Sequence, residues 1–314
     1  MKRAAQRLLA ALAVLPSLGG AVAATHNAST AARSDHPLLE LARQLERTRD
    51  VTTHGAIDGG QLREAQHLLE QAHAPTDAAC PDSIGAARYA NLHVELAGAQ
   101  AAAGDFLAAA DSYRHAHACR PHDADILGAL AGVLFDARDY RGTREAITAS
   151  LDIDPRSVGN NRLAGNLDFV EEHWADAIAR FRYVASSDED RRQAGYGQLM
   201  YWLAQRRAGI AKPELVERTP GEGWPQPLLL YMRGEYTEAE LLEPIDAGDA
   251  DSNMLPNTST DERLCEALFY VGEEYWARGQ RDVARDYFTA LVNIRVLYFL
   301  EHGIALAEIA KLRR

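Results

Sequence analysis

Two prolines, Pro121 and Pro155, stand 34 residues apart, and the residues ahead of each one repeat in type and spacing. Ahead of Pro121 come Leu96 and Ala97, then Gly104-Asp105-Phe106, Ala109, Tyr113 and Ala116. Ahead of Pro155 come Leu130 and Ala131, then Arg138-Asp139-Tyr140, Thr143, Ile147 and Ser150. A further unit follows in register with Ala164 and Gly165, then Glu172-His173-Trp174, Ala177, Phe181 and Val184. The pattern returns downstream as Val271, Gly272, Tyr275, Gly279, Ala284, Phe288 and Leu291. A fixed period of this length confines the chain to a stacked array, because one unit cannot bury its own apolar face and must lean on its neighbours.

Within each unit the spacing predicts two antiparallel helices, A and B. The small residue on helix A (Ala97, Ala131, Gly165, Gly272) marks the place where helix B crosses closely, and Ala109, Ala177 and Ala284 meet it from the other side. Proline then stops helix B, since it has no N–H and restricts the residue before it. These landmarks resemble the tetratricopeptide repeat (TPR), which implies an all-α solenoid of helix pairs. The array is expected over residues 37–211, with an earlier, degenerate pair at 37–53 and 60–74. A segment rich in Gly and Pro interrupts it, so 212–261 is expected to be irregular, with short helices at 227–233 and 237–243. A last pair and a closing helix occupy 262–314, and Lys311 suits the end of that helix.

The chain begins with Lys2, Arg3 and Arg7, a short apolar run from Leu8 to Leu15, and small residues at Ala21–Ala24. This reads as a secretory signal over residues 1–24, followed by a flexible stretch at 25–36, which predicts export to the periplasm. No cysteine stands at the cleavage region, and no later stretch is long and apolar enough to span a membrane. Against 45 acidic residues the chain has 33 basic ones, a net charge of −12, which disfavours nucleic acid and anionic lipid as partners.

The whole mature chain, and especially Tyr201 to Leu312, resembles the NlpI-like periplasmic tetratricopeptide proteins. YWLAQRR (Tyr201–Arg207), LLLYMRGEYTEAELL (Leu228–Leu242), LFYVGEEYWARGQRDVARDYFTALVNI (Leu268–Ile294) and YFLEHGIALAEIAKL (Tyr298–Leu312) carry the resemblance. It implies an all-helical envelope adaptor that binds peptidoglycan endopeptidases and a C-terminal processing protease, and that tends to form homodimers. Founding members are tethered through an acylated cysteine, which this chain lacks. A scaffold for outer-membrane or secretion-system assembly, and a metal-dependent hydrolase hidden in the array, are the competing readings.

In stacked helix pairs the A helices line the concave face. Asn91, Asp125, Phe135, Arg162, Asn166 and Phe169 are the candidate partner-binding residues there. Arg162 and Asn166 are four apart, share a helix face, and suit the carboxylate of a peptide end. The plainer alternative is a solvated arginine and a capping asparagine, with the two phenylalanines filling core. Cys80 precedes helix A and Cys119 ends helix B of one unit, so a bridge between them is expected in an oxidising compartment. His115, His117, Cys119 and His122 match no structural zinc spacing, and no metal or cofactor is expected. The sequence has no G-x-S-x-G, H-E-x-x-H or CxxC. Adjacent acids such as Glu171-Glu172 and Glu273-Glu274 point to different helix faces and read as solvated surface. A binding protein without catalysis is the expectation.

Overall fold

The computed structural model describes residues 36–48, 63, 67, 80, 84–188, 191–216, 224–246, 260–294 and 300–313. The expected secretory leader falls outside the described residues, as does the expected helix at 60–74 apart from residues 63 and 67. Among the described residues the regular elements are all helical. They run α1 (Pro37–Thr48), α2 (Ile84–Ala102), α3 (Phe106–Cys119), α4 (Ala124–Asp136), α5 (Tyr140–Ile153), α6 (Val158–Val170), α7 (Trp174–Ala185), α8 (Arg191–Arg207), α9 (Gln226–Met232), α10 (Leu242–Asp246), α11 (Thr260–Ala277), α12 (Arg281–Ile294) and α13 (Leu300–Leu312). Successive helices pack as pairs, α2 on α3, α4 on α5, α6 on α7 and α11 on α12, and each pair leans on the next, as in a TPR-like helical solenoid.

The turn from helix A to helix B shows how the repeat is written into local geometry. Gly104, Arg138 and Glu172 fall at 34-residue steps and have φ of 81°, 61° and 63°; Gly279 does the same in the last pair at 79°. The residue after each one donates its N–H to a carbonyl five positions back: Asp105 to Gln100, Asp139 to Leu134, His173 to Asp168 and Gln280 to Tyr275. That left-handed ending satisfies carbonyls a helix end leaves open. Helix B then starts at once, with Asp105 capping the Ala108 N–H at 3.1 Å and Asp139 capping that of Gly142 at 3.0 Å.

The close crossings lie where the small residues predict them. A Cβ on Gly165 would lie 2.8 Å from Phe181 Cε1, and one on Gly272 2.9 Å from Phe288 Cε1. Ala97, Ala109, Ala131, Ala177 and Ala284 are fully buried, so helix backbones approach each other with only a methyl group between them.

At α8 the pairing stops. In place of a helix B, the irregular stretch 214–216 is held against α8 by two glutamines. Gln205 donates to the Glu214 carbonyl at 2.9 Å and accepts from its N–H at 2.9 Å; Gln198 does the same for Val216 at 2.7 and 3.0 Å. The short helix expected at 227–233 is α9, whereas the one expected at 237–243 is a 3₁₀ turn at Ala239–Leu241 that runs into α10.

Both ends of the array turn inward. Helix α1, expected with the N-terminal array, packs on α11 and α12 through buried Leu38, Leu39 and Ala42. The Leu38 N–H donates to Glu238 Oε1 at 3.1 Å, and His36 Nδ1 lies 3.2 Å from the Tyr275 hydroxyl and 3.3 Å from that of Tyr287. Helix α13 packs on α11 and α12 and reaches across to α4 and α6, the A helices of two earlier pairs.

Candidate functional site

The inner face formed by the A helices is where four of the six expected binding residues cluster, and α13 lies on it. Phe135 and Phe169 are fully buried and fill core: Phe135 packs on Tyr140 with ring centroids 5.7 Å apart, and Phe169 meets Trp174 edge-on at 5.3 Å. A Cβ on Gly303 of α13 would be 3.4 Å from Phe135. Asn166 is 2% exposed, with its Oδ1 buried and unpartnered. Arg162 is half-buried, its Nε has no hydrogen-bond partner, and its charge acts on the Glu301 carboxyl of α13. Thus Phe135, Arg162, Asn166 and Phe169 belong to one region, and the carboxylate facing Arg162 comes from the chain itself.

Asn91 and Asp125 lie apart from that region and are exposed. Asn91 Oδ1 accepts from Arg120 at 2.7 Å, and Arg120 also donates to the Ala87 carbonyl at 3.1 Å. Asp125 sits in the first turn of α4, beside a shallow hollow shared with Arg120, His122 and Ile153.

The strongest polar centre on the inner face is Arg207, at the end of α8. Its guanidinium bonds Glu273 of α11 at 2.6 Å and Glu308 of α13 at 3.0 Å, with the ring of Trp276 4.2 Å away. Lys311 adds contacts to Glu308 at 2.9 Å and to Glu172 at 3.1 Å. One arginine thereby ties three elements together through charge-assisted bonds. Glu273 and Glu274, read from the sequence as solvated, are both buried. Helix α11 is enclosed on all sides, so adjacent residues that point in different directions still meet protein. Glu274 accepts from Trp202 Nε1 at 2.9 Å, and burial pushes the Glu273 carboxyl up to about 7 despite Arg207.

A second buried carboxyl, Glu266 of α11, accepts from the Tyr196 hydroxyl at 2.8 and 2.9 Å and from Trp224 Nε1. Burial, reinforced by the charge of Glu301, pushes it up to about 8. Tyr270 donates to Glu301 at 3.4 Å. Elsewhere, Asp168, Glu171 and His173 bring ligand-type atoms within 4.8 Å of one another. Asp168 there is already bonded by Arg144 at 2.6 Å and Arg180 at 3.0 Å, so two guanidiniums hold the place a cation would need.

Cys80 and Cys119 form a disulfide with Cα atoms 5.1 Å apart, fastening the chain ahead of α2 to the last residue of α3. Cys119 is thereby removed from the histidine-rich run. His115 of that run stacks on His93, with centroids 4.8 Å apart, and burial, aided by the charge of His115, lowers His93 to about 4.

Arg207, Glu308, Glu273 and Glu266 escaped the sequence reading as site residues. Their signal was a charged residue at a position that repeat register places inside, and the register is lost across residues 212–261. No protein-family model matches the chain.

Proposed function

We propose that this chain is a non-catalytic cell-envelope adaptor that binds a partner protein on the inner face of its helical array. The observation that carries the reading is that face itself: A helices from separate pairs converge on one helical segment and hold it by placed charges, Arg207 above all. A surface that holds a helix by ion pairs set in apolar surroundings suits protein recognition. The buried carboxyls are engaged by arginine, tyrosine and tryptophan, which fits a structural use for them. The leader-like N-terminus and the NlpI-like segments favour the periplasm as the compartment, and a peptidoglycan endopeptidase or a C-terminal processing protease as the partner.

The test is a photo-crosslinking residue placed at the exposed Leu107, which lines a hollow with His302 and Gly303 of α13, activated in intact cells, with the adducts identified by mass spectrometry. An endopeptidase or processing protease among the adducts supports the reading. Adducts only with the chain itself, or turnover of peptidoglycan by the purified protein, would count against it.

A further inference from the structure

We propose that α13 is a cis occupant of the inner face, exchanged in trans for an amphipathic helix of a partner protein that carries two carboxylates seven residues apart with small residues between them. This rests on the adaptor reading and names the kind of segment such an adaptor takes.

Glu301 and Glu308 are seven residues apart on α13, two helical turns, so one face presents both. Glu308 bonds Arg207 at 3.0 Å, while Glu301 receives the Tyr270 hydroxyl and faces the charge of Arg162. Between them Gly303 and Ala305 are buried and let the backbone come near α4, with Ile304 also buried. The seat therefore reads as two polar stations, an ion pair at Arg207 and a hydroxyl donor at Tyr270 with the charge of Arg162 acting on the same carboxyl, separated by a close-packed apolar step.

Two features favour exchange. The first is that α13 leaves the seat incomplete. Arg162 Nε and Asn166 Oδ1, four residues apart on one face of α6, a helix that α13 reaches, stay buried and unpartnered. An unmade bond at a buried polar atom costs stability, so an incoming helix that reaches this pair gains what α13 forgoes. The second is that departure of Glu308 does not strand Arg207, which retains Glu273 at 2.6 Å and the ring of Trp276. Because Ile304 and Ala305 also leave, the incoming helix must bring its own apolar face.

The probe is a fluorescein-labelled peptide of sequence LEHGIALAEIAKL, read by anisotropy against the full-length chain. Wild-type chain should bind it weakly, because the face is free only in a small fraction of molecules. Lys311→Ala loosens the end of α13 without altering Arg162, Asn166 or Arg207, and should tighten binding about fivefold. A peptide with both glutamates changed to glutamine should bind about tenfold more weakly, having lost the charge-assisted bond to Arg207. Asp136→Cys with Gly303→Cys should lock α13 down when oxidised, since a Cβ at 303 lies 3.7 Å from Asp136 Oδ1. Oxidation should then abolish binding and reduction restore it, with reduced wild-type chain controlling for the native disulfide. Glu308→Gln is a second loosened variant, checked by circular dichroism.

Binding indifferent to the glutamates or to the lock would overturn the proposal. So would the absence of binding to both loosened variants while their helicity is intact. Concentration-dependent dimers of the Lys311→Ala chain on sizing would assign the face to a second copy instead. A partner photo-crosslinked equally well by the locked chain would preserve the adaptor reading and end the exchange.

Discussion

Gln198 and Gln205 on α8 each treat a backbone amide as a strand would, giving one hydrogen bond and taking one. Gln205 is buried, so cutting it back leaves both the N–H and the C=O of Glu214 without protein partners. Gln205→Leu should cost about 1–3 kcal/mol in urea unfolding, and Gln205→Glu, which can accept but not donate, should fall between it and wild type. Nothing in the local pattern marks these glutamines. They lie on a helix whose apolar spacing is ordinary, and their partners follow a Lys-Pro break that reads only as an interruption. Arg162 and Asn166 were legible as neighbours on one face because that follows from helix geometry alone. That the charge of Arg162 acts on the Glu301 carboxyl was not, since residues 139 positions apart meet only through the course of the whole array.

Elements were the most legible scale, because each carries its own start, stop and crossing signal. Positions 97, 131, 165 and 272 were readable as close crossings from residue size alone, and the geometry explains why. Gly165→Ala must push its methyl against Phe181 and should destabilise by about 1–3 kcal/mol. Gly132, on α4 with nothing within 4 Å of where a Cβ would stand, is the contrasting case. Gly132→Ala should stabilise by about 1 kcal/mol through helix propensity, and thermal melts of the two variants should move in opposite directions. The hairpin of α2 and α3 has a covalent support as well. Cys80→Ser with Cys119→Ser should cost about 2–4 kcal/mol, seen as a lower urea midpoint. What the elements did not disclose was the placement of α1 and α13: an amphipathic helix states that it has an inner face without stating which surface will cover it.

For the whole molecule, buried acids set the response to pH. Burial raises Glu266 to about 8 and Glu273 and Asp136 to about 7, so the folded chain holds protons there that the unfolded chain releases near pH 4.5 for the glutamates and 3.8 for the aspartate. Their stabilising contribution is complete below the unfolded value and is lost as pH rises through about 7 to 8. His93 acts in the opposite sense: lowered to about 4, it withdraws stability as pH falls from 6.5 towards that value. The melting temperature should therefore decline between pH 6.5 and 8.5, and Glu266→Gln should flatten the decline. Finally, with α1 seated on the last helix pair and α13 laid across the second and third, the first and last segments of the described chain are anchored to fixed places. An open solenoid can gain or lose a unit by duplication or deletion without disturbing its ends. Here one extra 34-residue unit inserted between α6 and α8 would carry Arg207 away from Arg162 and leave Glu301 and Glu308 unable to reach both, so the spacing of those repeats is itself held constant by the seating of α13.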